Sequence, residues 1–181
     1  MDGARGLVDN ISGYFKANAG AVVVLDARTG EVVAMASNPS FNPNDFISGN
    51  SDQYFKDPNF PMLNRALNPY APGSTFKTFS AIAMLQNSQL FPEGVNHTVV
   101  ENPPGCFSFG NEGDERCNAG KAVLGTRDLP GALAVSSDVY FYHVGERLWL
   151  NTDKGTLALQ TTARNYGLGT ESGIDLPNEY A

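Results

Sequence analysis

The chain has 181 residues, 41% of them hydrophobic, and a formal net charge of −7. This apolar content is ordinary for a folded domain of this length, so disorder of the whole chain is excluded. The acidic balance argues against a binder of nucleic acids or anionic membranes, because such a protein needs a basic face.

The N-terminal end is predicted to hold a helix and then a hairpin. Residues 3–16 place apolar side chains at near-helical spacing, which predicts a short lead-in helix. Residues 21–36 carry two β-branched runs, AVVVL and EVVAMA, around a turn that ends at Gly30, which predicts a β-hairpin. Its first strand is apolar on both faces, so we expect it to be buried on both sides. At five residues it is far too short to cross a bilayer, which takes about 20 residues, and the first 15 residues show no signal-peptide pattern.

A predicted buried helix follows a long loop. Residues 38–73 contain six prolines and are expected to be loop. Residues 74–85, STFKTFSAIAML, have no Pro or Gly and are apolar on most faces, which predicts a buried helix. Residues 92–125 are again rich in Pro and Gly and are expected to form a second long loop.

The last third of the chain is predicted to be mainly helical. Residues 127–149 are expected to form two helices separated near Ser136–Asp138, where three polar residues interrupt the apolar pattern. Residues 153–165 are expected to form a further helix, with Asp153 near its start and Gly167 at its C′ position. The tail, GIDLPNEYA, is expected to be extended.

Ser74 and Lys77 are the first pair with chemical potential. At i and i+3 of a helix their side chains share a face and can come within hydrogen-bond reach. A serine in the first helical turn lies beside free backbone N–H groups, which stabilise developing negative charge. A lysine shielded from water can act as a base, which a serine nucleophile requires. The bare spacing is weak evidence, but it falls here at a predicted loop-to-helix junction.

Ser136 and Asp138 form the second feature. Alone, the Ser-Ser-Asp break is more typical of a helix cap than of a catalytic site. With Ser74 and Lys77 upstream, the interpretation changes, because S-x-x-K followed by S-D-N and then K-T-G marks the serine β-lactamases and penicillin-binding proteins. The first two motifs occur here in that order.

The two cysteines, Cys106 and Cys117, leave three alternatives open. They lie 11 positions apart in a polar, Gly-rich segment that a disulfide would stabilise. Two free thiols are the second alternative. A zinc site is the third, with His97 or Asp114 as further ligands, although no recognised ligand spacing is present.

Four stretches together resemble the transpeptidase domain of class B penicillin-binding proteins: GAVVVLDARTGEVVAMAS, NRALNPYAPGSTFKTFSAIAML, LPGALAVSSDVYFYHVG and ARNYGLGTESGIDLP. The resemblance implies an α+β chain with the β-lactamase/penicillin-binding-protein transpeptidase fold. Residues 1–18 would be a connector, and residues 19–181 would be the N-terminal portion of the domain.

The resemblance also implies roles for individual residues. Ser74 would be the acylated nucleophile, Lys77 the base for acylation, and Ser136 a proton relay to the leaving group. Ser136 and Asp138 would also contact substrate. Asp138 occupies a position where many relatives carry Asn, which puts in doubt any role that needs an amide donor, because an ionised carboxylate only accepts.

The implied substrate is the D-Ala-D-Ala end of a peptidoglycan stem peptide, and β-lactams would acylate the same serine. No cofactor or metal and no nucleic-acid partner is implied. The longer protein would be anchored in the membrane upstream of Met1. It would act outside the cytoplasmic membrane within a cell-wall synthesis complex. The oxidising surroundings there would favour a Cys106–Cys117 disulfide.

The K-T-G motif is the expected element that the chain lacks. Lys154–Thr156 reads K-G-T, in the wrong order and too close to the second motif. In the family the motif lies on a C-terminal sheet strand, so we expect the fold to be incomplete and the chain alone to be inactive. A β-lactam hydrolase or sensor on the same fold, or a non-catalytic fragment, remain the alternatives.

Overall fold

A computed structural model of the chain describes residues 18–109, 113–151, 157–177 and 179. The predicted lead-in helix lies outside these residues, as do the predicted start at Asp153 and the segment Lys154–Thr156. The described residues fall into two units. One comprises those of Met1–Pro69 and Ile174–Tyr180, and the other those of Tyr70–Gly173.

The predicted hairpin is present in the first unit. Strands β1 (Gly20–Leu25) and β2 (Val32–Asn38) pair antiparallel, in a register that runs from Gly20 opposite Asn38 to Leu25 opposite Val32. Gly30 has a φ of 79°, in the left-handed region that glycine enters without steric cost. Its N–H donates to the Asp26 carbonyl over 2.8 Å and closes the turn.

The expected burial of β1 on both sides is wrong. Val23, Val24 and Leu25 are 42%, 47% and 55% exposed. Among the described residues β1 pairs only with β2. A two-stranded ribbon covers neither of its own faces, so an apolar strand is buried only where another layer packs on it.

The connection over residues 38–69 is more ordered than the expected loop. It contains helices α1 (Asn44–Ser48) and α2 (Asp52–Lys56) and a 3₁₀ turn at Arg65–Leu67. The aromatic rings of Phe46 and Tyr54 stack with their centroids 6.0 Å apart and join the two helices. Helices of five residues are too short to show a helical period in the sequence. They also depend on such contacts for their stability.

The second unit is built around four helices. They are α3 (Lys77–Gln86), α4 (Leu129–Ala134), α5 (Asp138–Asn151) and α6 (Ala158–Asn165). Helix α3 packs against α5 and α6. The shared core consists of Ala81, Ala83, Met84, Phe91, Val99, Leu129, Ala132, Tyr140, Phe141, Val144 and Leu148. The predicted buried helix and the predicted break before Asp138 are both confirmed.

The segment between α3 and α4 is a set of short strands and turns rather than the expected loop. Strand β3 (Val99–Val100) pairs with β6 (Thr126–Arg127), and β4 (Cys106–Phe109) pairs with β5 (Asp114–Cys117). Two 3₁₀ turns, Gly94–Asn96 and Ala119–Lys121, complete it. Strands of two and four residues give no usable alternation, so the sequence pattern does not reveal them.

The sheet content of the chain is therefore partial. The described residues form three separate two-stranded sheets beside the helices, which is a mixed helix-and-strand architecture. None of the described helices combines the length and the apolar character that crossing a membrane would require. Residues 171–177 have no regular secondary structure.

Candidate active site

The site begins at the N-terminal end of α3. Residues Gly73–Phe76 form a 3₁₀ turn, and the α-helix begins at Lys77. Ser74 lies in this turn and is exposed, whereas Lys77 is 9% exposed. The sequence predicted one continuous helix from Ser74. The first turn is instead a 3₁₀ turn, which is tighter than an α-helix and spaces side chains differently.

The turn Ser136–Asp138 joins α4 to α5. The Ser137 N–H donates to the Ala132 carbonyl over 2.9 Å and the Ser136 N–H donates to the Leu133 carbonyl over 3.1 Å. This pair of bonds is the Schellman motif that ends a helix, with Ser136 at its left-handed C′ position. The φ of Ser136 is 56°, a conformation that costs a non-glycine residue on the order of 1–3 kcal/mol.

Side chains satisfy the first three amides of α5. The Ser137 hydroxyl accepts from the Tyr140 N–H over 2.9 Å, which makes Ser137 the N-cap. The Asn118 side-chain oxygen accepts from the N–H groups of Asp138 and Val139 over 2.8 and 3.1 Å. One residue therefore ends α4 and the next begins α5, so the orientation of the turn is set at both sides.

Lys77 is the residue that the turn encloses. Its ammonium donates to the Ser136 carbonyl over 2.6 Å and to the Ser136 hydroxyl over 3.0 Å. Its third contact is an ion pair of 2.6 Å with the Asp138 carboxylate. An ammonium has three donors, so these partners satisfy Lys77 completely. The Phe141 ring, with its centroid 6.0 Å from Nζ, shields it further.

Ser74 stands apart from this network. Among the described residues no hydrogen bond of 3.5 Å or less links the Ser74 hydroxyl to Lys77. The structure thus brings together three of the four predicted catalytic residues, namely Lys77, Ser136 and Asp138. It leaves the fourth exposed, one helical turn before Lys77 in the chain.

The predicted cysteine pair lies outside this site. Cys106 and Cys117 are joined by a disulfide and face each other across β4 and β5. Glu115 lies close enough to form a metal-binding group with them. In the disulfide neither sulfur is a thiolate, the form that binds zinc, so the pair acts as a staple of the hairpin.

Three residues that the sequence did not single out support the site. Glu101, Asn118 and Ser137 are 5%, 5% and 0% exposed. The Glu101 carboxylate accepts from the Ser137 hydroxyl, and it accepts from the Asn118 amide over 2.8 Å. A glutamate directly after the paired apolar residues Val99–Val100 is a weak signal of a buried carboxylate; Asn118 carries no signal.

A comparison with known protein families identifies the family of this chain. The sequence model of the penicillin binding protein transpeptidase domain matches residues 20–181. The chain belongs to the penicillin-binding protein transpeptidase domain family. This match includes Ser74, Lys77 and the Ser136–Asp138 turn.

Named relatives are similar over most of this chain. It is 31% identical over 170 residues to the peptidoglycan D,D-transpeptidase MrdA of Acinetobacter baumannii, and 33% identical over 164 residues to MrdA of Escherichia coli. Each alignment covers 88% of this chain, but only 23% and 24% of the relative. The chain therefore spans about a quarter of the length of these relatives.

Solved structures show the same fold. The chain matches a penicillin-binding protein, PBP2, of Helicobacter pylori with a TM-score of 0.75 and 30% identity, over 97% of this chain and 32% of that one. It matches penicillin-binding protein A of M. tuberculosis, solved as an imipenem acyl-enzyme complex, with a TM-score of 0.67 and 27% identity, over 83% and 34% of the two chains. The predicted α+β transpeptidase fold with a partial sheet is confirmed.

Proposed function

We propose that the protein is a peptidoglycan D,D-transpeptidase that works through an acyl-enzyme on Ser74. The observation that carries this proposal is the enclosure of Lys77 by Ser136 and Asp138, with Nζ 3.0 Å from the Ser136 hydroxyl and 2.6 Å from the Asp138 carboxylate. A buried amine beside a hydroxyl provides a base and a proton relay, which a serine nucleophile needs.

The first half-reaction forms an ester. Ser74 Oγ attacks the carbonyl carbon of the D-Ala-D-Ala peptide bond, and its proton moves to Lys77, which enters this step as the neutral amine after its ammonium has given up one proton. The Ser136 hydroxyl gives its proton to the departing amine nitrogen and regains one from Lys77. The carbon–nitrogen bond breaks, D-Ala leaves, and the peptide remains on Ser74. Asp138 orients Lys77 by accepting from it.

The second half-reaction reverses the proton path. The amine of a neighbouring stem peptide attacks the ester carbonyl, its proton passes through Ser136 and Lys77, and Ser74 leaves as a restored hydroxyl. A new amide bond then joins the two peptides. A β-lactam enters the same first step, and opening of its ring amide leaves the drug on Ser74. Penicillin-binding protein A of M. tuberculosis has been solved as such an acyl-enzyme, with imipenem.

We base the proposed partners and location on what is known of the relatives. The penicillin-binding protein PBP2 of H. pylori has been solved in complex with MreC. We infer that the protein acts on the outer side of the cytoplasmic membrane in a cell-wall synthesis complex.

The domain division at residues 18 and 19 stays a prediction. The chain of 181 residues has no K-T-G in that order, and we propose that it acylates far more slowly alone than within the longer protein.

Labelling with a fluorescent penicillin tests the proposal. The native full-length protein is expected to label once per molecule, with the label on the tryptic peptide that contains Ser74. Ser74→Ala is expected to abolish labelling, whereas Thr78→Ala, an exposed hydroxyl one turn along the same helix, keeps it. Labelling that survives Ser74→Ala would refute the assignment of the nucleophile.

Two further measurements separate the alternatives. Release of D-Ala from a stem pentapeptide, with capture of the acyl group by an added amine, is expected for a transpeptidase. An acyl-enzyme that lasts minutes to hours agrees with it, whereas turnover within seconds would show a β-lactam hydrolase. Wild-type protein that is neither labelled nor releases D-Ala would leave the non-catalytic alternative.

A further inference from the structure

Glu101 is a buried carboxylate that the reaction above does not use. It follows β3 and is 5% exposed. A buried charged or polar group is costly unless its hydrogen bonds are made, and each Glu101 oxygen makes them. Oε1 accepts from the Ser137 hydroxyl, and Oε2 accepts from the Asn118 amide over 2.8 Å and from the Leu124 N–H over 3.0 Å.

Two of these three donors control the Ser136–Asp138 turn. Ser137 lies between the two residues that hold Lys77, and its hydroxyl caps α5. Asn118 holds the N–H groups of Asp138 and Val139. Because an amide presents its oxygen and its nitrogen on opposite sides, the bonds from the Asn118 amide nitrogen to Glu101 and to the Ala122 carbonyl, each 2.8 Å long, together decide which end of Asn118 faces α5.

We propose that Glu101 is a positioning residue for the acyl-transfer site, acting through Ser137 and Asn118 to hold Ser136 and Asp138 on Lys77. The proposal rests on the proposed function, since it assigns Lys77 and Ser136 their roles. Reacting groups must be held within about 0.5 Å of the productive geometry, and a displacement of about 1 Å can lower a rate 100-fold. The left-handed Ser136 needs such support, because its backbone conformation is unfavourable by itself.

Glu101→Gln is a specific probe of this role because it keeps the side-chain shape. One Gln oxygen replaces two carboxylate oxygens. If that oxygen faces the two N–H donors, Asn118 and Leu124, the Gln amide N–H₂ faces the Ser137 hydroxyl. That hydroxyl already accepts from Tyr140 and would have to turn its own proton away. The opposite orientation sets a donor against two donors. Either arrangement disturbs the turn without creating a cavity.

The experiment measures acylation of the native full-length protein by a fluorescent penicillin at increasing concentrations. We expect Glu101→Gln to lower the maximal acylation rate at least about 10-fold, with the half-saturating concentration unchanged. We also expect faster hydrogen exchange at the amides of residues 138–140, and a melting temperature within a few degrees of wild type. Glu115→Gln is the matched control, because it removes an exposed carboxylate from the neighbouring hairpin, and it should change none of these quantities.

Ser137→Ala gives a second reading if Glu101→Gln does not fold. It removes only the hydroxyl that links Glu101 to α5, and it too should lower the maximal rate. The double variant should lose less than the product of the two single losses, because both act on one contact. An unchanged maximal rate in the folded variant overturns the proposal. The proposal is also overturned if the fall in the maximal rate comes together with a changed half-saturating concentration and a clearly lower melting temperature, since that indicates a general folding role.

The test also separates this inference from the proposed function. If the wild-type protein is not acylated at Ser74, the proposed function fails. The hydrogen exchange of residues 138–140 then still decides whether Glu101 holds the turn: faster exchange in Glu101→Gln but not in Glu115→Gln supports it, and unchanged exchange refutes it.

Discussion

The two serine-bearing turns of the helical unit, Gly73–Phe76 and Ser136–Asp138, are held in opposite ways. Ser74 and Ser136 are both exposed, but Lys77 donates a hydrogen bond to the Ser136 hydroxyl and, among the described residues, none to the Ser74 hydroxyl. In the second turn Ser137 is buried and its hydroxyl donates to Glu101, and the Asp138 N–H donates to the Asn118 side-chain oxygen. The proposed nucleophile is thus open to an incoming substrate, and the groups that would move its proton are fixed.

This difference separates two requirements of the reaction. An attacking hydroxyl must be reachable, and Ser74, the proposed nucleophile, is exposed. A base and its relay must keep one geometry while they exchange protons, so buried hydrogen bonds hold them. Changes that loosen the second turn should therefore affect the reaction rate before they affect substrate access.

Removal of the Lys77 ammonium should have the largest effect of the three changes considered next. Lys77→Met keeps a flexible apolar stem but has no base, so we expect acylation by a fluorescent penicillin to fall about 10²–10⁴-fold. The rate of appearance of the labelled Ser74 peptide measures it. Lys56→Met, which changes an exposed lysine paired with Asp52 over 3.9 Å, should acylate normally. A near-normal rate in Lys77→Met would show that another group takes the Ser74 proton.

Removal of the disulfide should affect stability more than rate. The loop closed between Cys106 and Cys117 spans 11 positions, so Cys106→Ser with Cys117→Ser should lower the local free energy of unfolding by about 2–3 kcal/mol. Denaturant-dependent hydrogen exchange of residues 106–109 and 113–117 measures this loss. Acylation should change only a few-fold, because Asn118 keeps its contacts. Identical exchange in oxidised wild type and variant would contradict a stabilising role, and reduced wild type should match the variant.

Protonation of His143 should have the smallest effect. Burial beside the Phe107 ring, 4.4 Å between centroids, lowers the pKa of His143; Glu146 and Glu101 oppose this shift and His97 adds to it. Below about pH 6.5 the His143 imidazole binds a proton more readily in the unfolded chain than in the folded chain. This contribution to stability is therefore present above that pH and is lost as the pH falls toward the folded pKa. Hydrogen exchange of α5 at pH 7.5 and 5.5 should show it.

The control for this prediction is His143→Gln, which cannot titrate in that range. Its α5 exchange should depend less on pH than that of the wild type. Equal pH dependence in both proteins would assign the effect to another group, and a wild type that grows more stable in acid would reverse the sign expected from burial.

The sequence predicted much of the helical unit, because its signals are local. An unbroken apolar run predicted the helix that carries Lys77, and three polar residues in an otherwise helical stretch predicted the break before Asp138. Ser136 at a C′ position and Ser137 at an N-cap are roles set by neighbours within five residues. Such local patterns can be read along the chain. The motifs at Ser74 and Ser136 also identified the family.

Tertiary structure decided which distant residues meet. Ser137 is 36 positions from Glu101, and Lys77 is 59 from Ser136, so neither contact leaves a periodic trace. The choice of disulfide over free thiols or zinc depended on the pairing of β4 with β5. The exposure of β1 depended on which layers cover it rather than on its composition. The sequence by itself determined the longer helices of the second unit, the hairpin and the family, because these follow from short-range patterns. The enclosure of Lys77 and its buried support depended on packing, because only the folded chain brings these side chains into contact.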